Sequence, residues 1–244
     1  MFGSAGRGAK RREDIHVYAE RPSRIAGCVL WVSCGPAGSE TLVVPDGCTD
    51  VIWLDGRLTV AGPDTVPHRH ARGTAGATVG LRFGPGIGPR LFGAPAGELR
   101  DARLPLDQLW PAAGVSELEE RLSAGETAGG LLEWAVSRRE ETLPPADARV
   151  EPLVAALRSG ESVASAARIV GQSERQLRRL ATEVFGYSAK TLQRILRFQR
   201  AVALARRGEP LATAAYGVGY ADQAHMAREV RELAGVPMTA LLSS

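Results

Sequence analysis

Two stretches in the second half of this chain repeat one another, and the repeat limits what that half can fold into. The first is VASAARIVGQSERQLRRLATEVFG, from Val163 to Gly186, and the second is LATAAYGVGYADQAHMAREVRELAG, from Leu211 to Gly235. Each sets an Ala four positions ahead of a Gly: Ala167 before Gly171, and Ala215 before Gly219. A capping residue follows, Ser173 or Asp222, and then apolar residues at helical spacing: Leu177, Ala181 and Val184, or Met226, Val230 and Leu233. A small Ala lets two helices approach, and a Gly permits the left-handed turn between them. A Ser or Asp cap satisfies free N–H groups and starts the second helix sharply. The pattern predicts two helix-turn-helix units, over residues 162–184 and 211–234. A long helix over residues 188–207 links them.

The charge distribution gives these units a partner. Residues 162–207 hold ten Lys or Arg (Arg168, Arg175, Arg178, Arg179, Lys190, Arg194, Arg197, Arg200, Arg206 and Arg207), opposed only by Glu174 and Glu183. A solvated helix face mixes its signs, so this local excess points to a polyanion. The major groove of duplex DNA admits an α-helix. In the first unit the stripe left free after burial holds Glu174, Arg175, Arg178, Arg179 and Thr182, and Ser173 and Gln176 at the helix start are candidate DNA contacts beside it. In the second it holds Gln223, Ala224, His225, Ala227, Arg228 and Arg231. Arginine contacts guanine edges or phosphates, and Gln or His near a helix start reaches base edges. Arg197 and Arg200, on the linker helix, either hold phosphates or serve the fold; their spacing does not choose.

The first half reads differently. Its short apolar runs, His16–Ala19, Gly27–Ser33, Thr41–Val44, Thr49–Leu54, Arg57–Ala61 and Thr78–Phe83, are separated by Gly, Pro and Asp turn signals and predict strands. Asp55-Gly56 lies between two such runs and marks a tight hairpin, because both turn positions need positive φ. Strands at this spacing suggest a small barrel or sandwich. Helical patterns follow at Ile87–Phe92, Leu104–Trp110, Ser116–Ala124 and Gly130–Glu141, with Ser116 as a cap and Glu119 as its box partner. Pro144-Pro145 interrupts them. The expected fold is therefore α+β and multidomain. A basic leader spans residues 1–14 and is expected to be disordered. A β-rich sensor or dimerisation domain with C-terminal helices spans 15–145. An all-α domain spans 146–244.

The stretch Gly186-Tyr187-Ser188, Leu196-Arg197-Phe198-Gln199-Arg200-Ala201, Gly219-Tyr220-Ala221-Asp222-Gln223-Ala224-His225 and Gly235-Val236-Pro237 resembles the signature of the AraC/XylS family of transcription regulators. The resemblance covers about residues 150–243. It implies two helix-turn-helix subdomains on one linker helix, reading successive major grooves, with Ser173–Thr182 and Asp222–Arg231 as recognition helices. Phe198 with Leu192, Ile195, Leu196 and Val202 becomes the linker-helix core. Tyr220, Met226 and Val230 stand where the family commonly has Phe; all three suit a core. The segment Leu42–Trp53, followed by Val60–Thr65, is similar to a small β-rich sensor domain found ahead of this module in many bacterial regulators. That likeness implies a small-molecule effector, for which Trp31, Asp46, Asp50, Trp53 and Arg82 are the candidate contacts; both tryptophans also suit a core.

Other chemistries have less behind them. Cys28, Cys34, Cys48, His68 and His70 are of types that hold zinc or copper, which leaves a metal- or thiol-responsive regulator as an alternative. No Cys-x-x-Cys pair supports it, so no metal is expected and no cofactor. Asp46 and Asp50 flank Cys48 and would raise its pKa, against a nucleophilic role. A DNA-repair alkyl acceptor would need a Pro-Cys-His-Arg motif, which the chain lacks, so no enzymatic activity is expected. Three cysteines behind no secretory signal suit reduced thiols in the cytoplasm, near the nucleoid. No apolar run approaches the ~18 residues of a membrane span. The expected partners are operator DNA and an effector, with RNA polymerase and a second copy of the chain left open.

Overall fold

A computed structural model describes residues 17–73 and 76–243. The leader over residues 1–14 lies outside them, as does His16. Strands β1 (Val17–Pro22), β2 (Cys28–Gly35), β4 (Thr49–Leu54), β5 (Arg57–Ala61), β7 (Gly76–Phe83) and β8 (Arg103–Pro105) form one antiparallel sheet, in the order β1-β2-β7-β4-β5-β8. Strands β3 (Glu40–Val43) and β6 (His68–Ala71) pair only with each other. The six-stranded sheet therefore stays open, with β1 and β8 as its edges.

Alternation along the strands sorts the side chains onto two faces. One face carries Cys28, Val51, Leu58, Val60, Leu81 and Phe83, all buried in a core shared with helices α1 (Gly88–Phe92), α3 (Ala112–Ser123) and α4 (Ala128–Glu140). The other face carries Trp31, Asp50 and Arg82. The β4–β5 hairpin turns through Asp55 (φ 50°) and Gly56 (φ 78°), as its sequence requires. At Gly62 the chain passes against the short helix α2 (Ala96–Leu99), and a Cβ there would overlap the Leu99 carbonyl oxygen. Gly62→Ala is expected to cost at least ~3 kcal/mol, since overpacking typically costs about 1–3 and this clash is with backbone. A urea titration followed by tryptophan emission measures the loss. A midpoint unchanged from wild type would show that the approach is looser.

Several local expectations give way here. Leu104–Trp110 is not a helix: Pro105 holds an extended conformation (φ −53°, ψ 136°), so residues 103–105 pair as β8 and only a 3-10 turn, Leu106–Gln108, follows. Helix α3 starts four residues before Ser116, behind Pro111, so Ser116 is not its cap. Glu119 reaches instead to the hairpin, accepting the Leu58 N–H at 2.8 Å. His68-Arg69-His70, which the runs predicted as strands do not include, lies in strand β6. Helix α2 is too short to show a period.

Residues 141–149 carry no helix or strand. Beyond them lie α5 (Val150–Ser159), α6 (Val163–Ile169), α7 (Glu174–Phe185), α8 (Ala189–Arg206), α9 (Leu211–Gly217), α10 (Gln223–Ala234) and α11 (Met238–Ser243). Their apolar faces form a second core around Leu177, Leu192, Phe198, Val202, Met226 and Val230. Leu42 and Val44 of the first half pack against it. Among the described residues no helix is long and apolar enough to cross a membrane.

Candidate nucleic-acid interface

Both repeat units close as their residues require. Ser162 caps α6 by accepting the Ser165 N–H at 3.1 Å, and Ala166 and Ala167 are buried where α6 meets α7. The turn passes through Gly171 at φ 65°. Ser173 then caps α7, and its partner is Gln176, three residues on. The Ser173 hydroxyl accepts the Gln176 N–H at 3.3 Å, and Gln176 Oε1 accepts the Ser173 N–H at 2.9 Å. This capping box occupies both side chains. Helix α7 buries Leu177, Leu180, Ala181 and Phe185 and exposes Glu174, Arg175, Arg178, Arg179 and Thr182. Among the described residues no ion pair involves any of those three arginines.

In the second unit Ala214 and Ala215 are buried, Gly219 turns at φ 86°, and Asp222 Oδ1 accepts the His225 N–H at 2.6 Å. Helix α10 exposes Gln223, Ala224, Arg228 and Arg231. His225 is half-buried: its ring stands edge-on to Tyr220 with centroids 5.2 Å apart, and Nδ1 lies 3.5 Å from the Ala221 N–H. It belongs to the turn more than to the outward face.

The linker helix α8, capped by Ser188, fixes the two units together. Arg197 spans from it to α10, 2.7 Å from Glu229 Oε2 and 2.9 Å from Oε1, with its guanidinium 4.3 Å over the Tyr220 ring. The Tyr220 hydroxyl donates to the same carboxylate at 2.8 Å, and Arg194 adds a bond at 3.1 Å. Burial works against ionisation of Glu229, but hydrogen bonds from Arg197, Tyr220 and Arg194 more than offset it and hold its pKa below the usual carboxylate range. Arg200 donates to the Arg158 carbonyl at 3.1 Å, tying α8 to α5. Sequence reasoning did not find Glu229, because its partners lie 32 and 35 residues away.

Two segments match known families. Residues 166–244 match the AraC-type helix-turn-helix domain. Residues 166–244 are thus an AraC-type helix-turn-helix domain, a DNA-binding module. Residues 27–105 match a domain of unknown function, DUF6597. Among solved structures, ToxT from Vibrio cholerae is similar at 10% identity over 89% of this chain and 97% of that one, with a TM-score of 0.49. ToxT with an unsaturated fatty acid bound is similar at 11% identity over 91% and 97%, with a TM-score of 0.47. The AraC-like transcriptional activator CuxR shares 17% identity over 78% and 82%, with a TM-score of 0.24. None of the curated proteins matches the chain.

The first half of the chain brings four of its five candidate effector contacts together. Trp31 Nε1–H donates to Asp50 Oδ1 at 2.6 Å, and Arg82 Nε lies 3.2 Å from Asp50 and 3.4 Å from Asp46. Gly80 lies directly under Trp31; a Cβ there would run into the indole ring. Trp53 sits on the opposite face of the sheet, against the core, apart from the other four. Burial pushes the Asp50 pKa up, with Arg82 opposing it. Burial also pushes the Cys48 thiol well above its ordinary range, aided by Asp46, so it stays a thiol. Cys28 is pushed up to about 12 by burial. Among the described residues no group of three or more His, Cys, Asp or Glu is placed to hold a metal ion.

Proposed function

We propose that the chain is a sequence-specific transcription regulator acting in the cytoplasm at the nucleoid, with residues 146–244 reading operator DNA and residues 15–145 sensing a small molecule. Arg175, Arg178, Arg179, Glu174 and Thr182 face one major groove, and Gln223, Ala224, Arg228 and Arg231 face the next. Ser173, Gln176 and His225 shape the helix starts, while Arg197 and Arg200 hold the frame. One observation carries this reading. Among the described residues the exposed Arg175, Arg178 and Arg179 of α7 and Arg228 and Arg231 of α10 make no ion pair, while Arg194 and Arg197, between the helices, are held by carboxylates. An evenly solvated bundle has no reason to sort its arginines this way. Trp31, Asp46, Asp50 and Arg82 are the proposed effector contacts, and RNA polymerase and a second copy of the chain are further partners under this reading.

Binding of the full chain to a library of genomic promoter fragments tests it. A few fragments should be retained over random duplex. The affinity should fall with salt at a log–log slope near −0.9 per phosphate contact, about −4 or steeper in all. Equal binding to every fragment would overturn sequence-specific reading.

A further inference from the structure

The recognition helix α7 passes into the linker helix α8 through one turn, Phe185-Gly186-Tyr187-Ser188, and the first half of the chain grips that turn from three sides. Gly86 (φ 84°) sits against Phe185 and Val150: a Cβ on it would come within 3.0 Å of the Phe185 ring and 2.7 Å of Val150 Cγ1. Gly186 (φ 77°) lies on the Ala96 carbonyl oxygen, 2.6 Å from where its own Cβ would be, and Arg100 Nη1 donates to the Gly186 carbonyl at 2.9 Å. Gly47 (φ 82°) abuts Leu192 and the Tyr187 hydroxyl. Further along α8, Gln199 Nε2 donates to the Pro45 carbonyl at 2.6 Å. A lighter contact, Pro67 against Gly235, reaches the C-terminal end of the other recognition helix.

Two features single out this turn. Tyr187 is only 6% exposed, yet its hydroxyl has no hydrogen-bond partner among the described residues. The loop it faces is also the loop that belongs to the Arg82 cluster. Asp46 pairs with Arg82 at 3.4 Å and accepts the Cys48 N–H at 2.8 Å, immediately beside Gly47. Residues 45–48 thus touch the buried charge cluster on one side and Tyr187, Leu192 and Gln199 on the other.

We propose that the Phe185–Ser188 elbow is where the first half sets the pose of the first recognition helix, that the Pro45–Cys48 loop is the positioning element, and that the Asp46–Arg82 pair is its latch. The docked elbow is the DNA-competent pose, because the outward faces of α7 and α10 stay exposed while the elbow is held. Holding it spares the ordering cost of placing two helices in two grooves at once. The unpartnered hydroxyl keeps the grip weaker than its packing alone would make it, so a small change at residues 45–48 shifts the docked population several-fold or more. The inference rests on the DNA-reading assignment above for its output, but not for the coupling itself.

The test uses the full chain and two readouts: hydrogen exchange of amides 185–189, and anisotropy of a labelled promoter duplex. Arg100→Ala and Asp46→Asn change only the first half and leave the DNA-facing side chains intact. Each is expected to speed elbow exchange about tenfold and weaken duplex binding three- to tenfold, with the exchange of β4 and β7 unchanged. Tyr187→Phe keeps the ring and drops the hydroxyl; it should slow elbow exchange and leave binding equal or tighter. Wild-type exchange and binding in both first-half variants would overturn the proposal, as would a Tyr187→Phe variant that loosens the elbow. If wild type binds no duplex at all, the DNA-reading assignment fails, and the exchange data still judge the coupling.

Discussion

Replacing Arg178 and Arg179 together by Ala is expected to weaken binding to the preferred promoter duplex by about thirtyfold to a thousandfold, or ~2–4 kcal/mol. Both side chains stand exposed on α7, and among the described residues neither makes an ion pair or a side-chain hydrogen bond that the change would remove. Their effect therefore reads DNA contact directly. Where they hold phosphates, the salt slope should also become shallower by about one for each contact removed. Changing Gln223 and His225 together should cost less, about tenfold at most, since Gln223 brings no charge and the half-buried His225 ring serves the turn beside Tyr220. Their loss should show instead as relaxed preference among related duplexes. Anisotropy titrations of the two double variants at several salt concentrations give both quantities. The reverse order of losses would place the main grip on α10.

The double repeat was legible because every signal it uses is local. A Gly at a forced positive φ, a cap two or three residues later and an apolar stripe at helical spacing each act within one turn of chain. Gly171, Ser173, Gly219 and Asp222 accordingly do in the structure what their spacing predicts. The wiring between the helices was not legible. Arg197 looks like any surface arginine until α10 brings Glu229 to it from 32 residues away. The same limit hid the sheet order. Strand β7 inserts between β2 and β4, and pairing across that distance leaves no mark in a local pattern. Strands β6 and β8 were missed for a different reason: the first is nearly all charged or imidazole side chains, and the second ends on a proline at a sheet edge. The place of Trp53 was within reach. It is three residues from Asp50 in one strand, so period-two alternation already puts the two on opposite faces.

Glu229→Ala should be the most damaging change to a charged residue in the DNA-reading half, at about 3 kcal/mol, because it leaves the part-buried Arg197 without a carboxylate and Arg194 with Glu232 alone. Glu229 is 5% exposed and holds Arg194, Arg197 and the Tyr220 hydroxyl, so one substitution loosens α8, α10 and the turn before α10 together. The loss should appear as faster hydrogen exchange across α9 and α10, with the strands of the first half unaffected. The carboxylate also predicts a pH dependence. Its pKa in the fold is depressed, so the stabilisation is fully present above its unfolded value, near ~4.3, and drains away as pH falls through the folded value. Acidification should therefore release α10 early, and Glu229→Gln should flatten that limb while keeping much of the packing. Pairing Glu229→Leu with Arg197→Met should recover part of the lost stability, since an apolar pair of similar size removes the unpaired charge along with its partner. A Glu229→Ala variant that loses less than about 1 kcal/mol would assign the angle between the two recognition helices to the shared apolar core around Phe198 and Val230 rather than to this charge cluster.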